Sequence, residues 1–268
     1  MHNDSIAMLL NASQPSQVIA YLRATRKLDP EIEALIHVKQ DSNHHPEGSA
    51  YKHTELVLDI AAEISEREFM TNTENAVLRL AALTHDFGKV THTQYHPDGR
   101  ITAWGHPEAG VPIAKAFLER SNVNPLIIAQ VLPLVNLHMA WVGFYTPDIT
   151  SKSVRKLIRK LEPSNLIMLK HLVEADMSGR GGQYYKQGVP QRMYDIMTVA
   201  DTLDSPTDKY PEPLLSGEDI MELTGITPSP LLGKVKAALY KAQLEGKFKT
   251  RADGIFLLLN HVVIAENS

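Results

Sequence analysis

The chain has 268 residues, 43% of them hydrophobic and 22% charged, with a formal net charge of −4 and no cysteine. That length buries a full core, as one large domain or one plus a small one. The missing cysteines exclude disulfides, thiolate zinc sites and cysteine nucleophiles, so histidine and carboxylate are the metal ligands left, and the charge excludes a global basic field for nucleic acid.

The start, MHNDSIAMLLNASQ, lacks the charged-then-apolar order of a secretory signal. No uninterrupted run of about 18 apolar residues predicts a membrane span, so a cytoplasmic protein is expected. HHPEGSA (44–50) reads as a turn before a first long helix, where Leu56, Val57, Ile60, Ala61 and Ile64 recur at three- and four-residue steps. Val77, Leu80, Ala81 and Thr84 form a second such stripe, and HPDGR (96–100) a tight turn between short segments. Ile128, Val131, Leu134 and Val135 form a third stripe, and Leu166, Leu169, Leu172 and Val173 a fourth. Period-2 alternation is scarce, so a mainly α fold follows.

DSPTDKYPEP (204–213) holds three prolines and no aliphatic residue. It divides the chain into a domain over 1–204, a linker over 205–215 and a small module over 216–268. In that module Ser216 and Asp219 predict a capping box, and a second helix runs from about Pro230 to Glu245 with Gly246 as its stop. KFKT-RADG-IFLLL reads as a β-hairpin around Asp253-Gly254.

Twelve histidines is a rich count for this length. His53 extends the first stripe, His85-Asp86 closes the second, and His138 and Asp176 extend the third and fourth at helical spacing. One such residue is commonly a packed histidine or a helix-end carboxylate. Four on four helices point further, because a buried carboxylate is costly unless paired or metal-bound. Carboxylates and imidazoles converging inside a bundle are what a divalent cation needs. His44, His45, His92, His96 and His171 lie in loops or out of register and are expected to be exposed.

The order His53, His85-Asp86, Asp176 resembles that of the HD-domain metal-dependent phosphohydrolases, with HDFGK as the signature pair and its usual Gly-Lys. The resemblance implies a helical bundle in which those four residues hold the metal. HHPEGSAYKHTELVLDIA (44–61), LRLAALTHDFGKVTHTQ (78–94), GHPEAGVPIAKAFLER (105–120), LVEADMSGRGG (172–182) and SGEDIMELTGITPSPLLGKVKAALYKAQLEGKF (216–248) together resemble the C-terminal half of bacterial CCA-adding tRNA nucleotidyltransferases. The nucleotidyltransferase head of that family carries Gly-Ser followed by a paired Asp-x-Asp. Here Gly48-Ser49 precedes Ala-Tyr-Lys-His and no Asp-x-Asp occurs, so no CCA-adding activity is expected.

In such a site the metal activates water toward phosphorus. Asp86 is expected to link the metal to water orientation. Lys89 either holds a phosphate oxygen or complements a helix dipole. His106, which opens GHPEAG, and His138 are candidates for a second metal or substrate contact. Glu108 is a proton donor or cap residue, and Arg180 in SGRGG has phosphate within reach. Two basic stretches, one with Arg155 and Arg159 and one from Lys234 and Lys236 to Arg251, are solvated faces or RNA contacts.

The function expected is hydrolysis of nucleotide or RNA-end phosphoesters, by 2′,3′-cyclic phosphodiesterase and 2′-nucleotidase or phosphatase activity. Alternatives are a nucleoside-triphosphate or oligonucleotide hydrolase, and a tRNA- or RNA-binding module with a structural metal. The donor set does not choose among Ni, Mn, Co, Fe and Mg. The expected partner is a nucleotide or RNA 3′-end, including tRNA, with no membrane and no DNA-specific signal.

Overall fold

The structure is a computed structural model that describes residues 3–144, 149–180, 188–203, 213–244 and 247–265. Two compact units divide it, Met1–Asp201 and Thr202–Ser268. The segment read as a linker falls largely on 204–212, outside the described residues.

The first unit begins with α1 (Asn3–Asn11), α2 (Pro15–Ala24) and α3 (Pro30–Ala34), then α4 (Ala50–Arg67) and α5 (Asn72–Thr84). Short α6 (Lys89–His92) leads into a ribbon of β1 (Gln94–Tyr95) and β2 (Ile101–Thr102). Long helices resume with α7 (His106–Arg120) and α8 (Pro125–Leu137), followed by α9 (Ser151–Leu161), α10 (Leu166–Ser178) and α11 (Gln191–Asp201). The mainly α reading holds. The four apolar stripes become the inward faces of α4, α5, α8 and α10, and Val57, Ala61, Val77, Leu80, Leu134, Val135, Leu169 and Leu172 are buried.

Local chemistry fixes where these helices start. The Ser49 hydroxyl accepts the Lys52 amide at the start of α4, and Thr71 with Glu74 closes a capping box on α5. The 96–100 turn closes with His96 N–H donating to the Arg100 carbonyl, and the ribbon pairs Gln94 with Thr102 and Tyr95 with Ile101. Pro125–Gly143 is long and apolar enough to cross a membrane by length and composition. It nonetheless packs against α5 and α7 and buries Val131, Leu134 and Val135 there.

Two glycines bring backbones closer than any side chain allows. A Cβ on Gly88 would sit 2.0 Å from the His106 carbonyl oxygen and 2.7 Å from the Gly110 nitrogen, so the turn after Asp86 lies directly on the start of α7. At Gly179 a Cβ would sit 2.6 Å from Val57, where the end of α10 meets α4.

The second unit comprises α12 (Gly217–Thr224), α13 (Pro230–Leu244) and α14 (Arg251–Ala265) around Leu215, Ile220, Leu239, Phe248 and Leu258. The Ser216–Asp219 capping box is present, while the expected stop at Gly246 lies outside the described residues. The expected hairpin is not formed. Asp253-Gly254 lies in the first turn of α14, because Thr250 accepts the Asp253 amide (3.2 Å) and donates its hydroxyl to the Asp253 carboxylate (2.7 Å). Gly254 is used for close packing against Phe248 and not for a turn.

Candidate metal centre

Helix ends build the site. The last four carbonyls of a helix have no partner within it. His85, the C-cap of α5, donates Nδ1–H to the Ala82 carbonyl (2.8 Å), and His138, the C-cap of α8, donates to Val135 (2.7 Å). His106, opening α7, donates Nδ1–H to Ala103 (2.7 Å). With Nδ1 as donor, a neutral imidazole presents a lone pair at Nε2.

Those lone pairs point at one another and at Asp86. His106 Nε2 lies 3.1 Å from His138 Nε2 and 3.2 Å from Asp86 Oδ1, while His85 Nε2 lies 3.3 Å from Asp86 Oδ2. His85 Nε2 and both Asp86 oxygens are buried without a hydrogen bond of proper geometry. Acceptor facing acceptor in a buried place costs free energy that a cation removes. Burial, with the neighbouring His106 and His85 rings, pushes His138 down to about 3, so it stays neutral at pH 7. Burial alone would raise Asp86, but His85 and Lys89 hold it well below the usual carboxylate range.

His53 is held differently. Its Nε2 bonds Asp176 Oδ1 at 3.0 Å and lies 3.9 Å from Asp86 Oδ2, while Nδ1 lies 2.8 Å from Glu47 Oε1. Burial opposes a proton on this ring, but Asp176 and Glu47 outweigh it and raise the pKa. For Asp176 the carboxyl is likewise held well below its ordinary value, burial being overcome by His53 and Arg180.

Two sets of ligand atoms meet at Asp86: His53, His85 and Asp86, and Asp86, His106 and His138, each within 4.8 Å. Asp176 joins through His53 and stands outside both sets. These donors fit a divalent cation, being imidazole nitrogens and carboxylate oxygens converging in a buried place.

Lys89 opens α6, five residues beyond the end of α5, and its buried ammonium reaches Asp86 Oδ2 (2.7 Å) and Gln40 Oε1 (2.6 Å). Its place is therefore at the cluster. A cleft of about 750 Å³ opens above, with Asp86, Lys89, His106, His138, Asp176 and Arg180 along its polar end. The Arg180 Nε is buried without a hydrogen-bond partner.

Other expected residues are not brought in. Glu108 is exposed on the first turn of α7 and does not line the cleft. Arg155 and Arg159 lie on α9 outside the cleft, and Lys234 and Lys236 are exposed on α13 of the second unit. Sequence reasoning missed Gln40, His45 and Glu47. The Glu47 Oε1 also lies 2.8 Å from His45 Nδ1, and the His45 ring packs edge-on against His53 at 4.9 Å. His45 is thus half-buried beside the site and not exposed, since the 44–50 turn folds inward over the start of α4. His171 is also buried, on α10. The one available signal was Pro-Glu-Gly six residues before His53, close enough in the chain for Glu47 to fold back onto that ring.

A family model described as the HD domain matches residues 50–176, from the first residue of α4 to Asp176. The CC-adding tRNA nucleotidyltransferase of Thermus thermophilus is 28% identical over 232 residues, 86% of this chain and 48% of that protein. The A-adding tRNA nucleotidyltransferase of Deinococcus radiodurans is 28% identical over 92% of this chain and 55% of its own length. The multifunctional CCA protein of Nitrosococcus oceani is 30% identical over 65% of this chain and 41% of its own. The chain spans about half the length of the curated relatives it matches. His53, His85, Asp86, His106, His138 and Asp176 all fall inside the matched span, and residues 50–176 of this chain are an HD domain.

Proposed function

We propose that this HD domain is a divalent-metal-dependent phosphohydrolase acting on nucleotide or RNA-end phosphoesters, with 2′,3′-cyclic phosphodiesters and 2′-phosphomonoesters as the leading substrates. One observation carries the reading: the Nε2 atoms of His85, His106 and His138 converge with the buried Asp86 carboxylate, whose charge Lys89 answers only in part, beneath a cleft that also holds Arg180. His53, His85, Asp86 and Asp176 would hold the cation, and the set of Asp86, His106 and His138 supports a second cation or direct phosphate contact. When bound, the cation supplies Lewis acidity and an activated water.

The chain's own groups do the rest. Asp86 would help to hold the cation and orient the attacking water beside it. Lys89 and Arg180 take phosphate oxygens as donors, and the apolar wall of the cleft limits bulk water around them. A substrate drawn from RNA ends, and a cytoplasmic location, are supported by relatives named for tRNA nucleotidyl transfer.

The test is turnover of a panel of cyclic nucleotides, nucleotides and tRNA with Ni²⁺, Mn²⁺, Co²⁺, Fe²⁺ or Mg²⁺. Turnover is expected to vanish in Asp86→Ala with the circular dichroism spectrum retained, and bound metal to fall in His53→Ala and Asp176→Ala. An RNA-binding module would instead show no turnover with any metal, and salt-sensitive tRNA binding lost on neutralising the basic residues from Lys234 to Arg251.

A further inference from the structure

We propose that the cleft over the HD site binds a nucleoside phosphate in a fixed direction, with the phosphate at Lys89 and Arg180 and the nucleobase stacked on Trp104. The inference rests on the phosphohydrolase reading for the phosphate end only.

The cleft is chemically mixed. Its buried inner end is charged, with Asp86, Lys89 and Asp176, while Ile101, Trp104, Pro107, Met139 and Val142 add apolar surface beside the exposed Lys39 and Arg100. A phosphate alone needs only the inner end. At about 750 Å³ the whole cleft is in the range of small-molecule sites, with room for a flat group beyond the phosphate.

Trp104 is the residue that fits this outer place. It is 84% exposed, an unusual setting for the largest aromatic side chain in a chain with only two tryptophans. Packing does not explain it, whereas a planar partner stacking on its face would. Its backbone is tied to the chemistry. Ala103, the preceding residue, accepts both the Nδ1–H and the backbone N–H of His106, and Gly105 makes the left-handed bend between them (φ 81°). The indole is therefore carried on the same turn that aims His106 at Asp86, with its Cα two residues away.

Charge agrees with a nucleoside phosphate over an uncharged aromatic ligand. Lys39, Lys89, Arg100 and Arg180 line the cleft, and its three carboxylates include Asp86 and Asp176, which a cation would neutralise. The ribbon that carries Arg100 is tied to Lys39, whose backbone amide donates to the Tyr95 hydroxyl (3.3 Å).

Calorimetry on the full chain tests this with adenosine 5′-monophosphate and ribose 5-phosphate, which share a phosphate and differ by the base. A short oligoribonucleotide distinguishes a strand end from a free nucleotide. The nucleotide is expected to bind more tightly than ribose 5-phosphate. Trp104→Ala should weaken the tighter of nucleotide and oligonucleotide by about 5- to 150-fold, the range that stacking on an aromatic gives. It should leave ribose 5-phosphate unchanged, and Trp104→Phe should restore most of the loss. Equal binding of base-bearing and base-free ligands, unchanged nucleotide affinity in Trp104→Ala, or equal loss for both ligands overturns the proposal.

The readout is binding, so it separates from the hydrolytic reading. A protein that turns over no phosphoester yet loses nucleotide affinity in Trp104→Ala keeps the platform and loses the hydrolase. Turnover of nucleotides with unchanged KM in Trp104→Ala does the reverse.

Discussion

Gly88→Ala tests how the site is assembled. The new methyl carbon would lie 2.0 Å from the His106 carbonyl oxygen, 2.9 Å from its carbon and 2.7 Å from the Gly110 nitrogen. All three are backbone atoms, so no rotamer change relieves the overlap. To reach an ordinary contact of 3.4 Å from that oxygen, the turn after Asp86 and the start of α7 must separate by about 1.4 Å. That motion opens the 3.2 Å gap between His106 and Asp86 and the cluster they share. Overpacking of this kind costs about 1–3 kcal/mol of stability, and a misplacement of about 1 Å lowers turnover about 100-fold. Urea melts in EDTA and Mn²⁺ titrations measure the two effects separately. Gly233→Ala is the control, since a Cβ there meets nothing and favours the helix by up to about 1 kcal/mol. A Gly88→Ala protein with the wild-type melt and Mn²⁺ affinity would refute the claim that glycine contact sets the site.

Glu47→Gln removes the charge beside His53 Nδ1 while keeping its shape, and metal affinity should fall about 10- to 100-fold by calorimetry, the usual cost of losing such a partner. His138 has its pKa pushed from 6.5 to about 3, so it gains a proton on unfolding between those values. Metal-free stability should therefore be full above pH 6.5 and fall toward pH 3, by up to about 1.4 kcal/mol per pH unit for this group. His45, lowered to about 4, acts in the same direction, whereas the raised His53 contributes below pH 6.5 and loses its contribution as pH rises through its folded pKa. Urea midpoints in EDTA from pH 7 to 5 should flatten in His138→Asn; an unchanged slope would remove His138 from the account. Thr250→Ala removes the cap of α14 at a cost of about 1 kcal/mol, and amide exchange should quicken in the first turn of α14 while α12 stays protected.

The stripes at three- and four-residue steps were legible because burial of one helix face leaves its mark in the local order of residues. His53, His138 and Asp176 followed from the same register. Glu47, His45 and Gln40 were not legible, since their roles arise from a loop folding back onto α4 and α6, and nothing periodic marks such a contact. Glu108, which its motif position marks as a proton donor or a cap, is exposed in the first turn of α7. The hairpin at Asp253-Gly254 was read from a dipeptide, when Thr250 three residues before Asp253 was already a helix start.

What makes the centre fit a cation is a device repeated at helix ends. On α5 and α8 the ring that caps the helix is the ring that faces the cluster: Nδ1–H satisfies a last-turn carbonyl, and this fixes Nε2 as the inward lone pair. The same hydrogen bond that stops the helix thus sets the tautomer and the aim of the ligand. Asp176 sits two residues before the end of α10, so three helix C-termini, each the negative end of its dipole, meet near Asp86. Lys89 answers part of that field in the structure, with its ammonium 2.7 Å from Asp86. A divalent cation would answer more of it and would relieve the contact between His106 and His138. The donors converging at that point therefore suit a positive charge beyond the one Lys89 supplies.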